Sequence, residues 1–155
     1  MRRQIEFCIL FVFSFFALSA TNSRDGLSFV ENKGQWNDCV RFKSEFRGGA
    51  LFLEESAVTF LMQHPEDMEA FRARKFAPES AELPEPVVRM YAWRVHFLNA
   101  RPHRLLGEGL FPDYHNYYLG KDPQHWASEV RLYERVCYQQ LYEGIDLYYT
   151  SVKSS

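Results

Sequence analysis

The chain has 155 residues, a formal net charge of −2, and a composition that is 46% hydrophobic, 25% charged and 17% aromatic. That length suits one domain, and the ordinary balance of apolar and charged residues excludes a wholly disordered chain. The mixed charge lacks the basic footprint of a nucleic-acid binder, and 7 Pro with 8 Gly exclude a collagen-like chain.

The first segment reads as a leader rather than as fold. Met1, Arg2 and Arg3 form a basic start, Phe7 to Ala17 is almost unbroken apolar sequence, and small residues follow at Ser19 and Ala20. This is the layout of a secretory signal peptide, with cleavage after Ser19 or after Ala20. The apolar run is shorter than the roughly 20 residues that span a bilayer, so the cleaved chain is not expected to insert in a membrane. The predicted organisation is therefore a signal peptide at residues 1–20 and one β domain at residues 21–155. Cys8 leaves with the leader, so Cys39 and Cys137 remain. In an oxidising compartment these two either pair as a disulfide or stay as packed thiols.

Val40 to Arg47 is the clearest strand. Val40, Phe42, Ser44 and Phe46 alternate with Arg41, Lys43, Glu45 and Arg47, the pattern of a half-buried antiparallel strand. Gly48-Gly49 then reads as a hairpin turn, Ala50 to Glu54 as the return strand, and Ala57 to Met62 as a third strand. Residues 63–86 break the rhythm, because Pro65, Pro78, Pro84 and Pro86 cannot sit in central strands. Within them Glu66 to Phe76 carries acidic residues early and basic residues late, which suits about one helical turn in a surface insertion.

Val87 to Leu98 carries Val87, Tyr91, Trp93, Val95 and Phe97 on one face and predicts a central core strand. Gly107 and Gly109 mark turns, and Phe111 to Leu119 is extended. Gly120-Lys121-Asp122-Pro123 is a turn, and Gln124 to Glu129 predicts a helical turn with Trp126. Val130 to Leu132, Arg135 to Leu141 and Ile145 to Val152 read as further strands. The whole predicts an all-β or mainly β fold, an antiparallel β-sandwich or open barrel with a Pro-rich insertion.

Chemistry-bearing patterns are sparse. Asp113 and His115 share a strand face, but a metal site ordinarily needs three or four protein ligands. His96 and Arg94 read as surface residues. Cys137 and His115 lack any nucleophile signature, and no G-x-S-x-G occurs. Glu54, Glu55 and Glu108 are the carboxylates a glycosidase reading would use, and a secreted hydrolase is the weakest of the functional readings. No catalytic residue, metal or cofactor is predicted, and the chain reads as a non-enzyme. The surplus lies in aromatics, of which Tyr117, Tyr118, Trp126 and Tyr148 are the candidate ligand contacts for a sugar or peptide. The competing reading of the tyrosines is a core whose hydroxyls reach the surface.

From Phe29-Val30-Glu31-Asn32-Lys33-Gly34-Gln35-Trp36 onward the sequence resembles a family. That segment, Gly48-Gly49-x-Leu51-Phe52-Leu53-Glu54, Tyr91-x-Trp93-Arg94-Val95-x-Phe97, Asn116-Tyr117-Tyr118-Leu119-Gly120-Lys121-Asp122-Pro123 and Val136-x-Tyr138-x-x-Leu141-Tyr142-x-Gly144-Ile145-Asp146-Leu147 occur in order. Together they resemble the N-terminal β-rich domain of unknown function of large gliding-motility-associated, type IX-secreted surface proteins. In that family propeller-type repeats and a C-terminal sorting domain often follow. The usual Pro of the last block is Glu143 here. The resemblance implies a truncated member, incomplete at its C-terminus and lacking the C-terminal modules of its parent protein. It also implies an exported, cell-surface or extracellular location, periplasmic without the sorting domain. It implies a structural or adhesion-type role with a protein or glycan partner, and it supplies no catalytic residues. A carbohydrate-binding module is the alternative. Asn32, Gly34, Asn116, Gly120 and Gly144 read as turn formers, and Trp36, Trp93 and Trp126 as core anchors.

Overall fold

The computed structural model describes residues 27–78, 87–100 and 104–150. The predicted leader, Pro84 and Pro86, His103 and the last residues of the predicted C-terminal strand lie outside the described residues. The fold is mainly β, a single antiparallel sheet curled into a half-barrel. Its strands are β1 (Phe29–Glu31), β2 (Val40–Phe46), β3 (Gly49–Glu54), β4 (Ala57–Gln63), β5 (Met90–His96), β6 (Arg104–Tyr118), β7 (Trp126–Tyr142) and β8 (Ile145–Thr150). One helix, α1 (Pro65–Lys75), and a 3-10 turn at Pro123–His125 complete the described elements. The order across the sheet is β5-β4-β3-β2-β1-β7-β6, and β8 also pairs with β7.

The β2–β3–β4 meander follows directly from its side chains. In β2, Val40, Phe42 and Ser44 are buried while Arg41 and Glu45 are exposed. Gly48 adopts φ +88° in the tight turn, a conformation that costs glycine nothing. Gly49 must also be small, because a Cβ there would run into the Leu61 carbonyl oxygen of the neighbouring strand. Leu53 and Val58 face each other across β3 and β4 and are wholly buried. Each such aliphatic side chain contributes about 1.5–3 kcal/mol by leaving water.

Two clusters lie on opposite faces of the sheet, since Phe29 belongs to one and its neighbour Val30 to the other. The larger, on the face that takes in Phe29, joins Phe42, Leu51, Leu53, Val58, Val136, Tyr138 and Leu141. The smaller joins Val30, Ala127, Val130 and Leu132, with Trp36, Phe111 and Tyr117 packed against it.

The long hairpin of β6 and β7 curls because it is interrupted. Where Asn116 stands between His115 and Tyr117, the register shifts and Glu129 takes φ +53°. The Glu129 N–H, turned out of the ladder, donates to the Asn116 side-chain oxygen at 2.9 Å. The same solution recurs between β7 and β8, where Gln140 takes φ +54° and its N–H donates to Asp146 at 2.6 Å. Bulges of this kind bend a strand and increase its twist.

Several expectations need correcting. Val87 to Leu98 does not form a central strand. Its regular part is β5, which among the described residues is an edge strand, with every residue exposed. An aromatic, β-branched sequence reports a fit to a pleated surface, which an edge supplies as well as a centre does. The two short strands expected at Val130 to Leu132 and Arg135 to Leu141 are one 17-residue strand, β7. Gly107 and Gly109 lie inside β6 rather than in turns. Gly107 makes room for the Tyr133 ring, and Gly109 takes φ +68°. The helix is an 11-residue element, not one turn, although it buries no residue. The helical turn with Trp126 is shorter than expected, and Trp126 itself opens β7. β1 is a short strand that the alternation did not reveal.

Candidate functional site

The motif from Glu31 to Trp36 is a structural clamp. The Asn32 side-chain nitrogen donates to the carbonyls of Val40 at 2.8 Å and Asn37 at 3.0 Å, while its oxygen accepts from the N–H groups of Gly34 and Trp36 at 3.0 and 3.2 Å. Gln35 is buried and bridges the Lys33 N–H and the Glu31 carbonyl. Trp36 then meets Tyr117 edge to face at 5.5 Å, and Lys43 lies 5.2 Å from the Trp36 ring centre. Burial, and behind it the Glu45 carboxylate, push the Tyr117 phenol up to about 12. Tyr117 thus packs, half-buried, against Trp36.

Tyr118 and Trp126 differ from it. They face each other across the end of the β6–β7 hairpin, edge to face at 5.6 Å, with exposures of 67% and 44%. Trp126 is therefore no core anchor. Tyr148 is exposed, but it pairs with Cys137, 11 positions along β7 from Trp126. At about 3.3 Å per residue that separation is roughly 36 Å, so Tyr148 does not join the pair. Its ring instead lies under the Arg135 guanidinium at 5.5 Å.

Each carboxylate considered for catalysis is held by an arginine. Glu54 is buried and accepts from Thr59 at 2.9 Å and from Arg94. Glu55 lies 3.9 Å from Arg41, and Glu108 lies 2.6 Å from Arg135. Arg94 is thus a structural partner and not merely a surface residue. The depression of 270 Å³ lined by Arg41, Glu55, Arg104, Leu105 and Leu106 takes in the second of these ion pairs. His115 contacts the Tyr117 hydroxyl at 3.3 Å. It lies opposite Val130, seven positions along β7 from Cys137, or roughly 23 Å, so the two do not meet. Among the described residues no group of three or more His, Cys, Asp or Glu is placed to hold a metal. Cys39 and Cys137 are free thiols, the first exposed before β2 and the second buried in β7. The disulfide alternative gives way to the packed-thiol one for Cys137. Partial burial and the adjacent Glu54 carboxylate push the Cys39 thiol up.

The residues missed as functional candidates lie on β5. The β4 register places Tyr91, Trp93 and Val95 opposite Met62, Phe60 and Val58, so the three share one face. Trp93 stacks on Phe60 at 5.5 Å with an interplanar angle of 9°. Yet Tyr91, Trp93 and Val95 remain 55%, 48% and 46% exposed, and none of the described residues pairs with the far edge of β5. Trp93 is a half-covered edge residue rather than a core anchor. The alternation was visible in the sequence, but exposure depends on which strand lacks a neighbour.

A family model for a domain of unknown function (DUF7948) matches residues 29–155, starting at the first residue of β1. The chain belongs to this family. No curated protein and no solved structure matches it. The match takes in all the strands described above, so the Asn32 clamp, the Glu54–Arg94 pair and the β5 edge are features of a DUF7948 domain. No helix among the described residues is long and apolar enough to cross a membrane.

Proposed function

We propose that this DUF7948 domain is a non-catalytic, exported interaction module of the cell surface. We read it as the N-terminal part of a gliding-motility-associated, type IX-secreted protein, with a structural or adhesion-type role. The observation that carries the reading is the β5 edge, where Tyr91, Trp93 and Val95 stand half exposed in a row beside backbone that no strand among the described residues pairs. Contiguous exposed apolar side chains mark interaction surfaces, and an open strand edge is a template for a further strand. Export is supported by the basic, apolar and small-residue order of residues 1–20. The gliding and type IX assignment is supported by the ordered sequence blocks from Phe29 to Leu147. Fractionation of the producing cells with N-terminal sequencing tests it. The expected product begins at Ala20 or Thr21 and lies at the surface or in the medium. A product confined to the cytoplasm with residues 1–20 retained would end the reading.

A second reading, a carbohydrate-binding module, is favoured by the exposed Tyr118–Trp126 pair. Paired amphipathic rings offer stacking area to a sugar face. Glycan-array binding that disappears in Tyr118→Ala and Trp126→Ala supports it. An array without binders removes it.

A further inference from the structure

The two long edges of the sheet are built differently. β6 carries Pro112, two glycines, the charges of Arg104, Glu108 and Asp113, and two register shifts against β7. Proline, charge and bulges are the ordinary means by which an edge is protected from pairing. β5 has none of these safeguards beyond one charge. It runs Met90-Tyr91-Ala92-Trp93-Arg94-Val95-His96 without proline, glycine, lysine or a register shift. Its single formal charge, Arg94, is already engaged by Glu54 of its own chain.

The hydrogen-bond phase of β5 can be read from its ends. The Arg89 carbonyl accepts from the His64 N–H, and the Phe97 N–H donates to the Ser56 carbonyl, both at 3.0 Å. Backbone groups alternate in direction along an antiparallel strand. Odd-numbered residues of β5 therefore turn their backbone groups towards β4. Met90, Ala92, Arg94 and His96 turn theirs towards the open edge.

We propose that this edge pairs with the same edge of a second copy, antiparallel about a two-fold axis through Trp93. The proposal rests on the reading of the sheet as an interaction module and names its partner. In this register Met90 faces the partner's His96 and Ala92 faces the partner's Arg94. All four are hydrogen-bonded positions, so every outward N–H and C=O finds a mate. Tyr91 faces the partner's Val95, and Trp93 the partner's Trp93. These are the non-hydrogen-bonded pairs, whose side chains approach more closely. The half-exposed apolar stripe of one copy thus continues into that of the other, and no like charges are opposed. A shift of the axis to Arg94 would set the two arginines directly opposite, which antiparallel sheets disfavour. Two seven-residue edges bury less than the roughly 1,200 Å² of a standard interface, so the dimer is of the weak, concentration-dependent class.

The test uses protein purified from cells expressing the full chain, in a Cys39→Ser background that removes the exposed thiol. Sedimentation should show the mass rising towards that of a dimer with concentration. Ala92→Pro removes an outward N–H without touching the β4 ladder and should weaken association at least tenfold. Trp93→Cys should form a disulfide-linked dimer on oxidation, because two-fold related non-hydrogen-bonded positions lie within disulfide reach. Met90→Cys should not, since its own copies would lie roughly 20 Å apart. A monomer at every concentration with no cross-link at position 93 overturns the proposal, as do equal cross-linking at positions 90 and 93 and a dimer that Ala92→Pro leaves intact. If Ala92→Pro loses the β-sheet circular dichroism, the two cysteine variants decide alone. Cell fractionation is untouched by any of these outcomes, so failure of self-pairing and failure of the export reading are distinguishable.

Discussion

The hydroxyl of Tyr138 donates to the carbonyl oxygen of Glu54 at 2.9 Å, joining residues 84 positions apart. Tyr138 is wholly buried on β7, and Glu54 ends β3. This bond ties the long hairpin to the β3–β4 turn, while the Phe97 ring meets Tyr138 edge to face at 5.2 Å. The curl of the half-barrel is fixed where these elements meet. Burial pushes the Tyr138 phenol far above its ordinary value, so the hydroxyl keeps its proton and remains a donor. Tyr138→Phe should cost about 1 kcal/mol, the net worth of one hydrogen bond. Tyr138→Ala should cost about 3–5 kcal/mol by emptying the ring's place in the core. Urea unfolding midpoints measure both. Equal costs for the two variants would show that the ring packs loosely and that the hydroxyl alone matters.

Glu54 supplies a second test in the same region. Its buried carboxylate is held by Thr59 and by Arg94, which is itself 46% exposed. Arg94→Met leaves a buried carboxylate without its counter-charge and should destabilise by about 2 kcal/mol. Adding Glu54→Gln should return part of that loss, because the uncompensated charge disappears. A double-mutant cycle reads the coupling. A coupling near zero would mean that water and Thr59 satisfy Glu54 without Arg94.

The meander around Gly48 was legible from sequence because strict alternation and a glycine turn are local signals. The Val40 to Glu54 hairpin and the strand from Ala57 formed as their patterns require. β5 shows where such signals stop. The alternation of Tyr91, Trp93 and Val95 was visible, but whether a strand is central depends on what pairs with its far side, and that is a non-local fact. The fused β7 was missed for a related reason. Glu134 and Arg135 look like a break in an apolar run, yet they are the exposed positions of a continuous strand. Among the aromatics, Tyr117 and Tyr118 are adjacent and so face opposite ways. Sequence could say that one of them is exposed, but only the position of Trp36 decides which.

Ser44 carries a prediction of opposite sign. Its side chain is wholly buried in β2, between Phe29 of β1 and Leu51 of β3, and among the described residues its hydroxyl has no hydrogen-bond partner. A buried hydroxyl without a partner costs about 1–3 kcal/mol relative to leaving it in water. Ser44→Ala removes the oxygen and keeps the small volume that Phe29 and Leu51 require. The variant should gain about 1 kcal/mol, seen as a higher urea midpoint at unchanged slope. A loss of stability would reveal that the hydroxyl does have a mate, such as a bound water.

Tyr117 is one of the groups that make the fold sensitive to alkaline pH. The folded protein holds its phenol near 12, whereas in the unfolded chain it titrates near its ordinary value of 10. Below pH 10 both states are neutral and the contribution to stability is complete. As pH rises from 10 through 12, the unfolded chain ionises first, and stability falls progressively. Tyr133, Tyr138 and Tyr149 are pushed up as well, with burial the leading cause for each, so the informative quantity is the difference between variant and parent. Tyr117→Phe should make the decline of stability between pH 10 and 12 shallower and remove one late-ionising phenol from the ultraviolet titration. Loss instead of a phenol that ionises near the ordinary value of 10 would mean that Tyr117 is solvated and that the Trp36 edge contact does not seal it.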